Sequence, residues 1–302
     1  MLRSVLLIAV LLLADPVRAA EPIAVVATFS VIGDMLANVG GNHVRITTIV
    51  GPDGDCELYQ PTVADVAHVA AARAVFLNDL NEEFEPWLEP LLKQAEFQGA
   101  KIVVSRGVRT LTAEEEHPVS GRPLPTAIDQ HAWLDPRNGA VYVRNIAEAL
   151  ARLDPANAAD YRAHAADYTK QIQALDDWAH KELAGVPASK RRALSSHDSL
   201  QYIANAYGIT LLSVVGWTNK AEPSAAELAK LARQVRSERV KALFVDSITD
   251  SRAMQRIAAE TGAAIGGTMY GDSLSPPGGE ADSYLKMLQH DVATLKAGML
   301  AN

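Results

Sequence analysis

The chain has 302 residues, with 28 basic and 36 acidic side chains for a formal net charge of −8; 48% of its residues are hydrophobic and 21% are charged. That hydrophobicity excludes intrinsic disorder. The acidic balance, with no Lys/Arg run longer than Lys190-Arg191-Arg192, excludes a phosphate-tracking surface, so no nucleic-acid partner is expected. A single cysteine, Cys56, excludes an intramolecular disulfide framework and a cysteine-cluster metal site.

The N-terminus has the layout of a secretory signal peptide over residues 1–19. Arg3 supplies the positive charge, Val5 to Ala14 is apolar, Asp15-Pro16 breaks the run, and Val17-Arg18-Ala19 offers compact residues for cleavage before Ala20. An apolar run of this length is too short to span a bilayer, which takes about 20 residues. No cysteine lies near the cleavage point, so an exported, periplasmic protein without a lipid anchor is expected. Cys56 would then be either buried or a reactive thiol.

After the leader, strands and helices alternate. Residues 23–29 form a short apolar run rich in β-branched side chains and predict a buried strand. Ser30 is placed to cap a helix through Val39, stopped by Gly40-Gly41. A strand is expected over 44–50, followed by the loop Gly51-Pro52-Asp53-Gly54-Asp55. A helix over 62–72, a strand over 74–77, a helix over 82–98 and a strand over 101–105 complete an α/β lobe. Residues 112–130 are polar and proline-rich and predict a loop.

The longest helical signal runs from 156 to 183. Tyr161, Ala165, Tyr168, Ile172, Leu175, Ala179 and Leu183 fall at steps of three and four and mark one apolar face. Gly185-Val186-Pro187 ends it. Alternation then resumes with strands at 193–196, 211–215, 240–245 and 264–269, and helices at 198–207, 224–237, 251–261 and 281–299. The expected fold class is α/β: two lobes, residues 20–155 and 185–302, each a mostly parallel sheet flanked by helices. One long rigid linking helix, 156–184, joins them. No simple internal repeat is visible in the sequence.

Of eight histidines, His43, His68, His164, His180 and His290 sit among ordinary polar neighbours and read as solvated or core-edge rings, and His117 lies in the acidic patch Glu114-Glu115-Glu116. Two differ. His131 stands in Asp129-Gln130-His131-Ala132-Trp133-Leu134-Asp135-Pro136, where the polar loop ends, and His197 stands in Ser195-Ser196-His197-Asp198-Ser199, where a strand gives way to a helix. Glu57 follows the turn after the second strand, and Asp272 follows the last strand through Tyr270-Gly271. In open α/β sheets the ligand crevice lies beyond the carboxyl ends of strands, so each lobe offers two candidate metal ligands there.

These segments in this order, together with Val26-Ala27-Thr28-Phe29-Ser30, Val39-Gly40-Gly41, Tyr59, Pro61, Tyr202, Tyr207-Gly208 and Asp272-Ser273-Leu274, resemble the metal-binding solute receptors of ABC importers, the cluster that takes manganese, zinc or iron(II). The resemblance covers essentially the whole chain after the leader. It implies two lobes, a rigid linking helix, a four-ligand site between the lobes, and delivery of the ion to a membrane permease. It carries three ligands onto His131, His197 and Asp272. The first family ligand is usually a histidine preceded by proline, and here those positions are Glu57 and Cys56. Glu57 is assigned as the replacement. A corner completed by water stays open at this point, and Cys56 as a ligand is the weakest alternative.

Glu57 and Asp272 with two neutral histidines would make a divalent site formally neutral, which lowers the cost of burying it. An oxygen-rich set suits Mn²⁺ or Fe²⁺ over the tetrahedral N/S shells of structural zinc, although Zn²⁺ binds most N/O sites more tightly on intrinsic affinity. A monomer is expected. An Fe²⁺ preference is compatible with siderophore-iron recycling, but no residue marks a siderophore surface. A secreted metallohydrolase is disfavoured, because four protein ligands close the open position that metal-assisted hydrolysis needs and no catalytic motif is present. A purely structural metal differs from a transported one in that its removal unfolds the domain.

Overall fold

A computed structural model of the chain describes residues 21–81, 84–112, 128–214 and 224–302. The expected leader, residues 1–19, lies outside the described residues, as do His117 and most of the 112–130 loop. The first half contains β1 (Ile23–Phe29), α1 (Ser30–Gly40), β2 (Val44–Val50), α2 (Val63–Ala71), β3 (Ala74–Leu77), α3 (Leu88–Gln94), β4 (Ala100–Val103) and α4 (Pro136–Leu153). The 27-residue α5 (Ala158–Ala184) follows. The second half contains β5 (Arg192–Ser195), α6 (Gln201–Tyr207), β6 (Thr210–Ser213), α7 (Ala225–Ser237), β7 (Ala242–Asp246), α8 (Arg252–Thr261), β8 (Ala264–Met269) and α9 (Tyr284–Leu300).

Each half builds a four-stranded sheet, in the order β2-β1-β3-β4 and β6-β5-β7-β8. Every strand pairing is parallel. The two halves therefore follow one topological plan, a repeat invisible in the residues because a sheet order constrains where apolar runs lie, not which apolar residues fill them. In both, the chain reverses direction across the sheet between its two central strands, β1/β3 and β5/β7. That switch point is where doubly wound sheets open a crevice.

Helix α4 was not among the elements expected from the sequence. Its start is signalled by Asp135-Pro136: the Asp135 carboxylate accepts the Arg137 backbone N–H at 2.9 Å, and proline occupies the first turn. Tyr142, Val143, Ile146 and Leu150 are fully buried along it. The helix expected over 82–98 is shorter, because only Leu88–Gln94 keeps helical geometry among the described residues and Glu96 adopts a left-handed backbone just beyond. Ser30 does not cap α1. Its hydroxyl instead accepts the Leu274 backbone N–H at 2.9 Å, tying the first half to the second.

The α5 stripe is nearly as expected, with Tyr161, Ala165, Tyr168, Ile172, Ala179 and Leu183 buried. Its remaining buried position is Asp176, not Leu175, and the Tyr207 hydroxyl satisfies that carboxylate at 2.9 Å. Through this stripe α5 packs on α1 and α4 of the first half and on α6 and α9 of the second. One hydrophobic cluster runs from the first sheet through α5 to α9, and a smaller one, with Leu231, Leu243 and Met254, fills the outer part of the second half. Among the described residues, no helix is long and apolar enough to cross a membrane.

Candidate metal centre

The loop after β2 turns Glu57 inward. Asp53 adopts a left-handed backbone, and the Asp55 carboxylate accepts the N–H groups of Glu57 at 2.8 Å and Leu58 at 3.2 Å. An aspartate bonding its own downstream backbone in this way sets a tight turn. Glu57 is consequently buried while Leu58, next to it, is 55% exposed. Cys56 is buried too; its carbonyl accepts the Trp87 indole N–H at 2.7 Å, and burial pushes its thiol well above the ordinary range, so it is not a reactive thiolate.

His131 lies just before a 3₁₀ turn, Ala132–Leu134, that leads into α4. The Asp129 carboxylate oxygen Oδ1 accepts both its backbone N–H at 2.9 Å and its ring Nδ1 at 2.7 Å. Fixing Nδ1 as the donor turns Nε2 into the electron-pair donor, the arrangement that metal-ligating histidines use. His197 follows β5 by two residues on extended backbone, and both rings are fully buried. Their centroids lie 5.3 Å apart, nearly perpendicular.

Asp272 reaches both rings from the loop after β8. Its Oδ1 is 3.0 Å from His131 Nε2 and its Oδ2 is 3.2 Å from His197 Nε2. One ligand atom each from Glu57, His131 and His197 also falls within 4.8 Å of the others. The structure thus brings together all four residues singled out in the sequence, two from each half. Donors sharing a tetrahedral ion at about 2.1 Å would stand about 3.4 Å apart, close to the Asp272–histidine spacings. Neither Asp272 oxygen, nor His131 Nε2, has a partner in hydrogen-bond alignment, although all three atoms are buried. Buried polar atoms are normally satisfied; these point at a shared position that a cation fits.

The electrostatics agree. Burial alone would raise the Asp272 carboxyl, but the two imidazoles outweigh it and hold the group well below the usual carboxylate range. Burial opposes charge on the histidines, yet Asp272 and Asp129 raise His131, and Asp272 raises His197 to about 9. Around the shared position, Phe29, Phe84 and Trp133 pack ring against ring, with centroids 4.9 to 5.2 Å apart, and form a buried apolar wall beside His131.

Three contributors went unread in the sequence. Asp129 and Gln130 were visible beside His131 but assigned no role; an acid two residues before a candidate ligand is a signal for an orienting carboxylate. Gln130 Nε2 donates to Glu57 Oε1 at 2.8 Å. Asp246, at the end of β7, is fully buried and accepts the Ser199 hydroxyl at 3.1 Å. Burial and the neighbouring Asp272 charge push it up to about 6. The five histidines read as ordinary are elsewhere: His43 pairs with Asp160 and His290 with Glu280, both solvent-facing acids.

The family described as the periplasmic zinc-uptake complex component A matches residues 25–298. The manganese ABC transporter substrate-binding lipoprotein PsaA of Streptococcus anginosus is 29% identical over 283 residues, covering 92% of this chain and 90% of its own length. The iron-binding protein YfeA of Yersinia pestis is 30% identical over 286 residues, covering 94% and 88%. Among solved structures, the Mn-bound periplasmic metal binding protein from Candidatus Liberibacter asiaticus superposes with a TM-score of 0.80 at 28% identity, covering 92% of this chain and 99% of that one. The periplasmic zinc binding protein TroA from Treponema pallidum shares the fold, with a TM-score of 0.81 at 24% identity over 93% and 99% of the two chains.

Proposed function

The chain belongs to the periplasmic zinc-uptake complex component A family, and on that premise we propose that it selects Mn²⁺ or Fe²⁺ through Glu57, His131, His197 and Asp272. As a metal-binding receptor of an ABC importer it is an extracytoplasmic protein that works with a membrane permease and its ATPase. The observation that carries the metal preference is the pairing of two buried carboxylates with two imidazoles around one position. Two anionic oxygens donors neutralise a divalent ion and admit more than four bonds, which Mn²⁺ and Fe²⁺ tolerate and structural zinc sites do not use. Relatives named for manganese and for iron support the same reading.

In the capture step the chain's own residues do three things. Asp129 holds His131 in the tautomer that presents Nε2. The aromatic floor keeps water from competing. Asp272 exchanges its contacts with protonated rings for contact with the ion, so binding releases protons. A zinc receptor is the second reading, favoured by the two imidazoles and by intrinsic affinity.

The deciding experiment is anaerobic competition titration of Mn²⁺, Fe²⁺ and Zn²⁺ against wild type, Glu57→His and Glu57→Gln. Glu57→His should shift selectivity toward zinc, and Glu57→Gln should weaken all three ions. Equal binding of every metal by Glu57→Gln and wild type removes Glu57 from the ligand set and the manganese or iron preference with it.

A further inference from the structure

Gln130 is completely buried beside the candidate site, yet it is not one of the four donor residues. Its amide Nε2 donates to Glu57 Oε1 at 2.8 Å, reaching from the loop that carries His131 to the loop after β2. The backbone under it is pinned. The Gln130 carbonyl accepts Asn78 Nδ2 at 2.9 Å. Asn78, just past β3, is in turn held on every polar side: its N–H donates to Glu85 at 3.2 Å, its carbonyl accepts the Ser105 hydroxyl, and its Oδ1 accepts the Tyr142 hydroxyl. These bonds hold the backbone from which the Gln130 side chain reaches Glu57.

A carboxylate can bind a metal through one oxygen or through both. An amide donor on one oxygen draws its electron density and fixes the plane of the carboxylate, which opposes symmetric two-oxygen binding. We infer that Gln130 is a specificity-determining residue, which restricts Glu57 to one-oxygen coordination and so limits how far the site can expand around a divalent cation. This rests on the reading of Glu57 as a ligand. Zinc is content with four ligands, whereas Mn²⁺ and Fe²⁺ accept further oxygens. Gln130 would accordingly hold back the manganese preference that the carboxylate at position 57 creates, and narrow the gap between ions.

The test uses the full-length exported protein with Co²⁺, Mn²⁺ and Zn²⁺ added singly, in wild type, Gln130→Met, Gln130→Asn and Glu57→Ala. Methionine fills the volume without a donor; asparagine keeps the amide but is too short to reach. The visible absorption of bound Co²⁺ is intense at four-coordination and weak at five or six. Gln130→Met and Gln130→Asn should weaken that absorption and raise the Mn²⁺:Zn²⁺ affinity ratio about 10-fold, the scale on which residues behind a ligand act. If Glu57→Ala changes the Co²⁺ spectrum but both Gln130 variants leave spectrum and ratio as in wild type, the inference fails while Glu57 stays a ligand. If Glu57→Ala also leaves the spectrum unchanged, the ligand reading fails and the inference falls with it. A uniform loss of affinity for all ions, with an unaltered ratio and spectrum, marks Gln130 as merely structural and overturns the proposal.

Discussion

Trp133 donates its indole N–H to the Gly271 carbonyl at 2.9 Å, which joins the residue two positions after His131 to the residue immediately before Asp272. The bond crosses between the two halves beside the point where His131, His197 and Asp272 meet. The Tyr284 hydroxyl donates to the Trp133 carbonyl at 2.6 Å, so the backbone carrying the indole is held as well. Trp133→Phe should keep most of the ring packing against Phe29 and Phe84 but leave the buried Gly271 carbonyl without its donor, a loss of about 1–3 kcal/mol. Metal release into excess chelator, followed by stopped flow, should accelerate in this variant. An unchanged release rate would show that the bond does not hold the halves together.

Replacing His131 or His197 by alanine should cost more than the 10- to 100-fold that orienting partners behind a ligand typically contribute. Asp129→Asn should fall within that lower range, because it keeps the shape but weakens the hold on Nδ1. Isothermal titration ranks the three variants, and circular dichroism checks that the metal-free fold survives. An Asp129→Asn loss as large as that of His131→Ala would mean that the carboxylate does more than orient the ring.

Acidity gives a further test, with a definite sign. His197 is raised to about 9 and His131 is raised in the same direction. Both rings must be neutral to bind a cation, so apparent affinity should fall as pH drops below 9, by about tenfold per pH unit for each ring that must lose a proton. The stability of the metal-free fold should follow the opposite trend. A histidine raised above its ordinary value of 6.5 contributes stability that is complete below that value and disappears as pH rises through about 9. Melting curves between pH 6.5 and 9 should therefore fall for metal-free protein and rise for loaded protein.

Gly271 makes the close approach that places Asp272. A Cβ there would meet Ser199 Oγ at 2.2 Å and Asp246 Oδ2 at 2.7 Å. Gly271→Ala should push the Asp272 loop away from the two rings at an overpacking cost of about 1–3 kcal/mol. Metal affinity should drop although no ligand is replaced, and unfolding in denaturant separates that effect from general instability. Wild-type affinity in this variant would show that the loop can retreat without moving Asp272.

How much of this was legible depended on whether a feature is local. The strands β1, β2 and β3 and the stripe of α5 announce themselves through runs and three-four spacing, and both halves were readable as α/β. Helix α4 was not expected, although its signs, the Asp135-Pro136 start and the three-four spacing of Val143, Ile146 and Leu150, are local. Ser30 was misread because a serine at a helix start usually caps it, and only the folded chain brings Leu274 within reach. Gln130 and Asp246 could not be assigned at all from neighbours in sequence. Their partners, Glu57 and Ser199, are 73 and 47 residues away.

The shared strand order of the two sheets has a mechanical corollary. Each half carries two of the four proposed donors at its own crevice, Glu57 and His131 on one side, His197 and Asp272 on the other, and with that ligand set neither jaw should grip an ion strongly by itself. The hold arises from simultaneous engagement, and the second pair acts at an effective concentration set by the spacing of the jaws. Affinity in such an arrangement depends steeply on a single separation. A partner that parts the jaws slightly can unload the cargo while leaving both sheets, and the helix α5 that spans them, fully folded.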